Sequence, residues 1–453
     1  MNPPSKIVPV TLSRRSFIKS TGVVAAAAAL PVERYAFGAS NNDTLKLALI
    51  GCGGRGSGAA NQALNTSNLG PVKLVAAGDI HEDRMKSSLA NLQKTHADKV
   101  DVPQERQFLG FDAYKKAIAE ADVVILSTPP GFRPVHFEEA VRQGKHIFME
   151  KPVASDAEGV RRVLAAAADA KKKNLKIGVG LQRHHQQGYI ETVQRLHDGA
   201  IGDITSARCY WNGQRPWQKK RADLNKQYGK ELSELEYQLR NWYYFTWIGG
   251  DHIVEQHIHN IDVINWVKKG HPVKARAMGG REINNGGADD GEIYDHFAVE
   301  FEYEDGSICY SYCRHQPRCW NSVSEHVVGT KGRADVSGYK IYGDNQWRFT
   351  QTGGAKDPYQ QEHDDLFTAI RENKEYSEIE QGASSTMTAI LGRMAAYSGN
   401  ELEYDAALKS DKNLLPLAFY EGKADAWTSI EAPVKLGADG LYPRAVPGQT
   451  KVI

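Results

Sequence analysis

The sequence predicts an α/β protein in two parts: an N-terminal domain built on a parallel sheet, then an α+β domain with a large, mostly antiparallel open sheet. Three observations predict it. Short apolar runs alternate with helical patterns through the first third, as in strands joined by right-handed crossovers. A glycine-rich turn, Gly51-Cys52-Gly53-Gly54-Arg55-Gly56, lies between the first of these runs and the first helical pattern. In the second half, strand patterns follow one another through short turns instead. A chain of 453 residues has room for two or three domains at roughly 150 residues each.

Taken in order, Leu45 to Ile50 is apolar and bounded by glycines, and reads as a buried strand. Ala59 to Leu64 reads as helix, and Val72 to Ala77 as a second strand ending at Asp79. Arg84 to Thr95 is a charged amphipathic helix; Val123 to Ser127 is a strand stopped by Pro129-Pro130. Phe137 to Gln143 is helical and His146 to Met149 is the next strand. Beyond Lys151 come a long Ala- and Lys-rich helix (Ala154 to Lys173), a strand (Lys176 to Val179) and a helix (Tyr189 to His197). Ile204 to Trp211 opens a run of strands, and Phe297 to Tyr303 with Ser307 to Arg314 forms a hairpin around Glu304-Asp305-Gly306. The polar stretch Arg215 to Leu239 is expected to be an exposed excursion, Ser384 to Ser398 an apolar helix, and the chain from about Asp411 irregular. The expected division is an N-terminal segment at 1–39, a parallel-sheet domain at 44–165, an α+β domain at 166–400, and an irregular extension at 401–453.

Lys and Arg total 56 against 55 Asp and Glu, a net charge of +1, which gives no argument for nucleic acid or an anionic membrane surface as partner, and neither is expected. No internal stretch is apolar and long enough to span a bilayer. The N-terminus carries Ser13-Arg14-Arg15-Ser16-Phe17-Ile18-Lys19, then the weakly apolar run Thr21 to Leu30, with small residues near Ala36 to Ala39 for cleavage. This is the form of a twin-arginine (Tat) signal and implies export, to a periplasm or its equivalent. The Tat route carries folded proteins, which suits one that takes up a bound group before leaving the cytoplasm. Of five cysteines (Cys52, Cys209, Cys309, Cys313, Cys319), the last three could supply one disulfide in an oxidising compartment, although packing is their main expected role.

The glycine turn fits G-x-G-x-x-G in its proper context, after a strand and opening a helix, as in a Rossmann dinucleotide-binding domain. Gly51 permits the tight turn, Gly53 lets backbone approach a pyrophosphate, and Gly56 lets helix pack on strand; Gly54 and Arg55 complete the loop. Free N–H groups and the positive dipole end of the helix then face the phosphates. Asp79 stands 23 positions after Gly56, near the ~20 expected of the acid that binds the ribose hydroxyls. A carboxylate there repels a 2′-phosphate, so NAD is favoured over NADP.

Further motifs follow. Thr128-Pro129-Pro130 and His136 precede Glu150-Lys151-Pro152 at a strand end; much later comes Gly249-Gly250-Asp251-His252-Ile253-Val254-Glu255-Gln256-His257-Ile258-His259-Asn260-Ile261-Asp262, then Trp266 and Gly329-Thr330-Lys331-Gly332. In combination, from about Leu45 to Asn400, they resemble the Gfo/Idh/MocA oxidoreductase family, named for glucose–fructose oxidoreductase and inositol dehydrogenase. The resemblance implies that Lys151 lies by nicotinamide and substrate and Glu150 by the cofactor, with Thr128, Pro129 and His136 also along the cofactor. In that family an Asp usually stands four residues before the His; here Glu255 takes its place before His259, with Gln256 and His257 replacing the small residues between. That spacing puts Glu255 and His259 on one helix face.

Oxidation of a carbinol needs a hydride acceptor and a base for the hydroxyl proton. His259 is the candidate base, Lys151 the group that holds the oxygen, and Glu255 the residue that orients His259 or Lys151. His252, Glu255 and His259 could also share a face as metal ligands, but the resemblance needs no metal and none is expected. Arg183 and His184, after a strand, and Trp247, within the aromatic run Trp242 to Trp247, are candidate substrate contacts, with a solvated loop and core packing as their respective alternatives. The leading expectation is an NAD(P)-dependent oxidoreductase for a hydroxyl of a sugar, glycoside or polyol, with a tightly bound cofactor and a homo-oligomeric assembly. Two alternatives are an NAD-dependent glycosidase working by transient oxidation and elimination, and a sugar-binding protein without turnover.

Overall fold

The computed structural model describes residues 43–283, 287–354, 356–420 and 430–453; the expected export signal lies outside them. Six strands form a parallel sheet: β1 (Leu45–Ile50), β2 (Val72–Asp79), β3 (Gln107–Leu109), β4 (Val123–Leu126), β5 (His146–Met149) and β6 (Ile177–Val179), in the order β3-β2-β1-β4-β5-β6. The order reverses between β1 and β4, and the crevice beyond the strand ends there is where ligands bind in such sheets. β1, β4 and β5 are buried on both faces, which explains why their sequences run apolar without alternation.

β6 corrects the expected boundary near residue 165: it pairs with β5, so the first sheet continues to Val179. The helix Pro358–Arg371 also returns to this domain, and Leu366, Phe367 and Ile370 complete its second core with Leu47, Leu49 and Phe148.

The second sheet has nine strands, β7 (Ile204–Gly213), β8 (Lys274–Gly280), β9 (His296–Glu302), β10 (Ile308–His315), β11 (Ser322–Gly329), β12 (Gly332–Asp335), β13 (Lys340–Gly343), β14 (Trp347–Arg348) and β15 (Leu402–Glu403), in the order β14-β13-β12-β11-β7-β10-β9-β8-β15. All its pairings are antiparallel except β7 with β10. Strand alternation sets its two faces: Cys309, Ser311, Cys313 and His315 of β10 point into the core, and Tyr310 and Tyr312 are exposed. The helices Ile258–Lys268 and Ile379–Ser398, buried nearly all round, cover the inner face.

Two expectations are corrected here. The stretch 215–239 is not simply exposed. It folds into the helices Arg221–Tyr228 and Glu234–Arg240, the second started by a Ser233–Glu236 capping box. Leu224, Leu232, Leu235 and Leu239 are buried beneath them, so a charged composition conceals one apolar face. The cysteines form no disulfide: Cys52, Cys209, Cys309 and Cys313 are buried thiols and Cys319 is exposed. Inward-facing positions of the one strand β10 carry Cys309 and Cys313, which is where small apolar groups pack. Among the described residues no helix is long and apolar enough to cross a membrane.

Candidate active site

A cavity of about 640 Å³ opens at the C-terminal ends of β1, β2, β4 and β5. One wall is the glycine turn. Gly51 has φ +89°, and a Cβ there would stand 2.5 Å from the Thr128 nitrogen; a Cβ on Gly56 would stand 2.0 Å from the Gly51 oxygen. Only glycine fits both close approaches. Gly53 and Gly54 face open space instead, so their backbone is accessible from the cavity. The helix Gly54–Asn65 begins there with neither a capping side chain nor an acid in its first turn, leaving its first N–H groups for a ligand.

Asp79 ends β2 at the same cavity. Its Oδ2 accepts from the Cys52 N–H at 2.6 Å and its Oδ1 from the His81 N–H at 2.8 Å. Burial pushes its carboxyl up from the usual range, against those hydrogen bonds. Thr128 Oγ1 lies 3.1 Å from His136 Nδ1, and burial next to Arg133 lowers His136 to about 3, so this imidazole is neutral. Gly51, Gly53, Gly54, Arg55, Gly56, Asp79, Thr128, Pro129, His136, Glu150 and Lys151 all line the one cavity. The turn, the uncapped helix start and the strand-end acid together fit a dinucleotide.

The far wall carries the candidate chemistry. β5 ends at Glu150, and the Lys151–Pro152 peptide is cis. Lys151 Nζ donates to the Glu255 carbonyl and lies 3.3 Å from Glu255 Oε1. Glu255 therefore holds Lys151 rather than His259. Glu150 accepts from Arg55 Nε, and Arg55 Nη2 reaches Glu362 Oε1 at 3.2 Å on the helix Pro358–Arg371. His259 lines the cavity with its ring stacked on Trp211, centroids 5.9 Å apart, and its Nδ1 is buried without a hydrogen-bond partner in the protein. Burial, then the charge of Lys151, hold its pKa well below the usual histidine value, so the ring rests neutral.

Glu255 and His259 do not share one continuous helix. The short helix His252–Glu255 ends, and Ile258–Lys268 begins after a loosened turn in which the His257 N–H donates to the His252 carbonyl at 3.1 Å. This i→i+5 bond widens the turn. Asp251, at φ +71°, caps the short helix and accepts from the Tyr294 N–H at 2.9 Å and the Tyr397 hydroxyl at 2.6 Å.

The three candidate substrate contacts lie elsewhere. Trp247 is 1% exposed, its Nε1 donates to Gln238 Oε1 at 2.8 Å, and it packs edge-on against Phe132. It is a core residue. Arg183 is buried in an ion pair with Glu325, which also accepts from Asn260; His184 pairs with Asp262 at 2.8 Å and stacks on Trp266. Both anchor the helix that carries His259 and do not reach the cavity. Aromatic residues that do line it include Trp211, Trp217, Trp242 and Tyr359 and, from the first domain, Phe111, Tyr114 and Phe132, with Lys219, Leu239, Arg240 and Gln256 beside them. The spacing of Leu232, Leu235 and Leu239 was the available signal that 215–239 packs inward.

Comparison with known proteins agrees with this architecture. Residues 45–180 match the GFO/IDH/MocA oxidoreductase family, NAD-binding Rossmann fold, residues 189–335 match the GFO/IDH/MocA C-terminal domain, and residues 11–31 match the TAT pathway signal sequence. An inositol 2-dehydrogenase/D-chiro-inositol 3-dehydrogenase of Halalkalibacterium halodurans is 26% identical over 37% of this chain and 44% of its own length. An inositol 2-dehydrogenase of Klebsiella pneumoniae is 29% identical over 37% and 45%. The match thus spans less than half the length of these relatives. The structure resembles that of aldose-aldose oxidoreductase from Caulobacter crescentus complexed with glycerol, with TM-score 0.61 and 16% identity over 80% of this chain and all of that one. It also resembles scyllo-inositol dehydrogenase from Lactobacillus casei with bound NAD(H) and scyllo-inositol, with TM-score 0.57 and 21% identity over 80% of this chain and all of that one; at these identities the likeness is one of fold. The chain belongs to the GFO/IDH/MocA oxidoreductase family, with a NAD-binding Rossmann domain, the family's C-terminal domain and a Tat export signal.

Proposed function

We propose that the protein is an NAD-dependent oxidoreductase that acts on a CH–OH group of a sugar, glycoside or polyol in the periplasm, with its cofactor retained. The observation that carries this reading is that Lys151, Glu255 and His259 line the same cavity as the glycine turn and Asp79. The relatives named as inositol dehydrogenases support a polyhydroxylated substrate. Asp79, with its two backbone hydrogen bonds, favours NAD over NADP, because a 2′-phosphate beside it meets a carboxylate.

Bound nicotinamide supplies the hydride acceptor. The chain's own residues supply the rest. His259, neutral and at the cavity wall, takes the hydroxyl proton as hydride leaves carbon. Lys151 Nζ, steadied by the Glu255 carbonyl and carboxylate, donates to the substrate oxygen and stabilises its alkoxide character. Glu150, tied to Arg55, fixes the strand end from which Lys151 projects. Trp211, Trp217 and Trp242 offer ring faces to the apolar side of a sugar. The assembly is a homo-oligomer through the open face of the second sheet, where Met278, Tyr310, Tyr312, Trp320 and Val328 are exposed together.

The test begins with the absorbance and mass of any nucleotide that co-purifies. The protein is then incubated with free sugars, polyols and aryl glycosides without added NAD. A keto product with reduced bound cofactor is the expected result. Release of aglycone would make it a glycosidase, and binding with neither product would make it a sugar-binding protein.

A further inference from the structure

The excursion between β7 and the second sheet's remaining strands does more than line the cavity. It crosses to the first domain and is fastened there. Arg240, at the end of the helix Glu234–Arg240, contributes to the cavity wall, and its Nη2 lies 3.2 Å from Asp83 Oδ1. Asp83 belongs to the first turn of the helix Glu82–Thr95, which starts three residues after the strand-end acid Asp79. The Tyr228 hydroxyl donates to Asp83 Oδ2 at 2.9 Å, and the Arg240 guanidinium stacks over the Tyr228 ring at 3.9 Å. One carboxylate of the first domain is thereby gripped by two side chains from separate helices of the excursion.

Position gives this grip its consequence. His81 and Arg84, the neighbours of Asp83, line the cavity with Asp79, and Lys219 and Leu239 of the excursion line it from the other side. The fastening therefore closes the rim over the end of the cleft where Asp79 would hold the adenosine ribose. A dinucleotide leaving by that rim must wait for the ion pair, the hydroxyl bond and the stacking contact to open together. The excursion's own ends are held independently, by the buried Leu224, Leu232 and Leu235, so the latch can part without unfolding the helices.

We propose that Asp83, Arg240 and Tyr228 form a latch between the two domains that retains the dinucleotide in the cleft. They act as positioning residues and touch neither the reacting carbon nor the nicotinamide. The proposal rests on the nucleotide-binding reading of the site. It supplies the physical means by which an exported enzyme keeps a cofactor absent from its surroundings.

The test measures the release rate of NADH from the full-length protein, followed by loss of bound-state fluorescence on dilution into excess NAD. Asp83→Ala and Arg240→Ala are expected to raise the rate roughly tenfold, equivalent to about 1.4 kcal/mol, with Tyr228→Phe raising it less. Reversing the pair, Asp83→Arg with Arg240→Asp, is expected to restore slow release. High salt is expected to accelerate release from the wild type but not from Arg240→Ala, since the pair is partly solvent-exposed. A merely structural role for these residues would lower thermal stability without this salt signature or the reversal. Unchanged release in the folded variants overturns the latch and leaves the nucleotide site standing. Failure of the wild type to bind NADH or NAD at all overturns both.

Discussion

The two walls of the cleft were built by different means. The wall from the first domain is built from short segments, Gly51 to Gly56, Asp79 to Arg84, Ser127 to Pro129 and Glu150-Lys151, each at the end of a strand. Its geometry follows from backbone rules, a positive φ at Gly51 and a close approach at Gly56. The wall from the second domain is assembled from Trp211 on a strand, Trp217 and Lys219 on a loop, Leu239, Arg240 and Trp242 around a short helix, and Glu255 to His259 at a broken turn. No local rule places those side chains on one surface; only the packing of the excursion against the core does. The contrast teaches that the glycine-turn wall is encoded locally and the facing wall by assembly.

The largest test of this contrast lies where the walls meet. Lys151→Ala and His259→Ala are each expected to lower kcat roughly a thousandfold while NAD binding, measured by fluorescence titration, persists. A loss of cofactor binding in step with activity would mean that the walls are not separable. Next is a pair of tryptophans. Trp247→Ala removes a buried indole and its bond to Gln238, and is expected to cost about 3–5 kcal/mol in denaturant unfolding. On the first wall, Gly51→Ala places a Cβ 2.5 Å from the Thr128 nitrogen at φ +89° and is expected to cost about 2–3 kcal/mol and to weaken NAD binding.

Acid sharpens the comparison further. Burial lowers His81 and His136 to about 3 and His146 to about 4, below the value near 6.5 of an unfolded histidine. Between pH 6.5 and about 4 the unfolded chain binds protons that the folded chain excludes, so these groups make stability fall as pH falls. His185, raised to about 10 by Asp365 and Glu378 despite its burial, has the opposite sign: its contribution is complete below pH 6.5 and is lost as pH rises toward 10. Melting temperature is therefore expected to drop on acidification below pH 6.5. Because His259 is also held low, activity is expected to persist to more acid pH than an ordinary histidine base allows, as a kcat/KM profile would show. The smallest effect is expected from Trp217→Ala, a severalfold rise in KM, about 1 kcal/mol, with little change in stability, because that ring is 42% exposed. An equal stability loss in Trp217→Ala and Trp247→Ala would erase the distinction between the cavity ring and the core ring.

The amino-acid order alone determined the parallel sheet, the glycine turn, Asp79, the Glu150-Lys151 strand end, His259 and the Tat signal. These depend on strand and helix periods, on φ restrictions and on spacing along one segment, which are properties of neighbouring residues. Tertiary structure decided that Trp247 is core while Trp217 faces the cavity, and that Arg183 and His184 brace the His259 helix from behind. It also decided that Glu255 contacts Lys151, and that Trp217, Lys219 and Leu239 line the cleft. Those outcomes turn on which face of a segment finds apolar surface to cover, and that surface is supplied by residues far away in the chain.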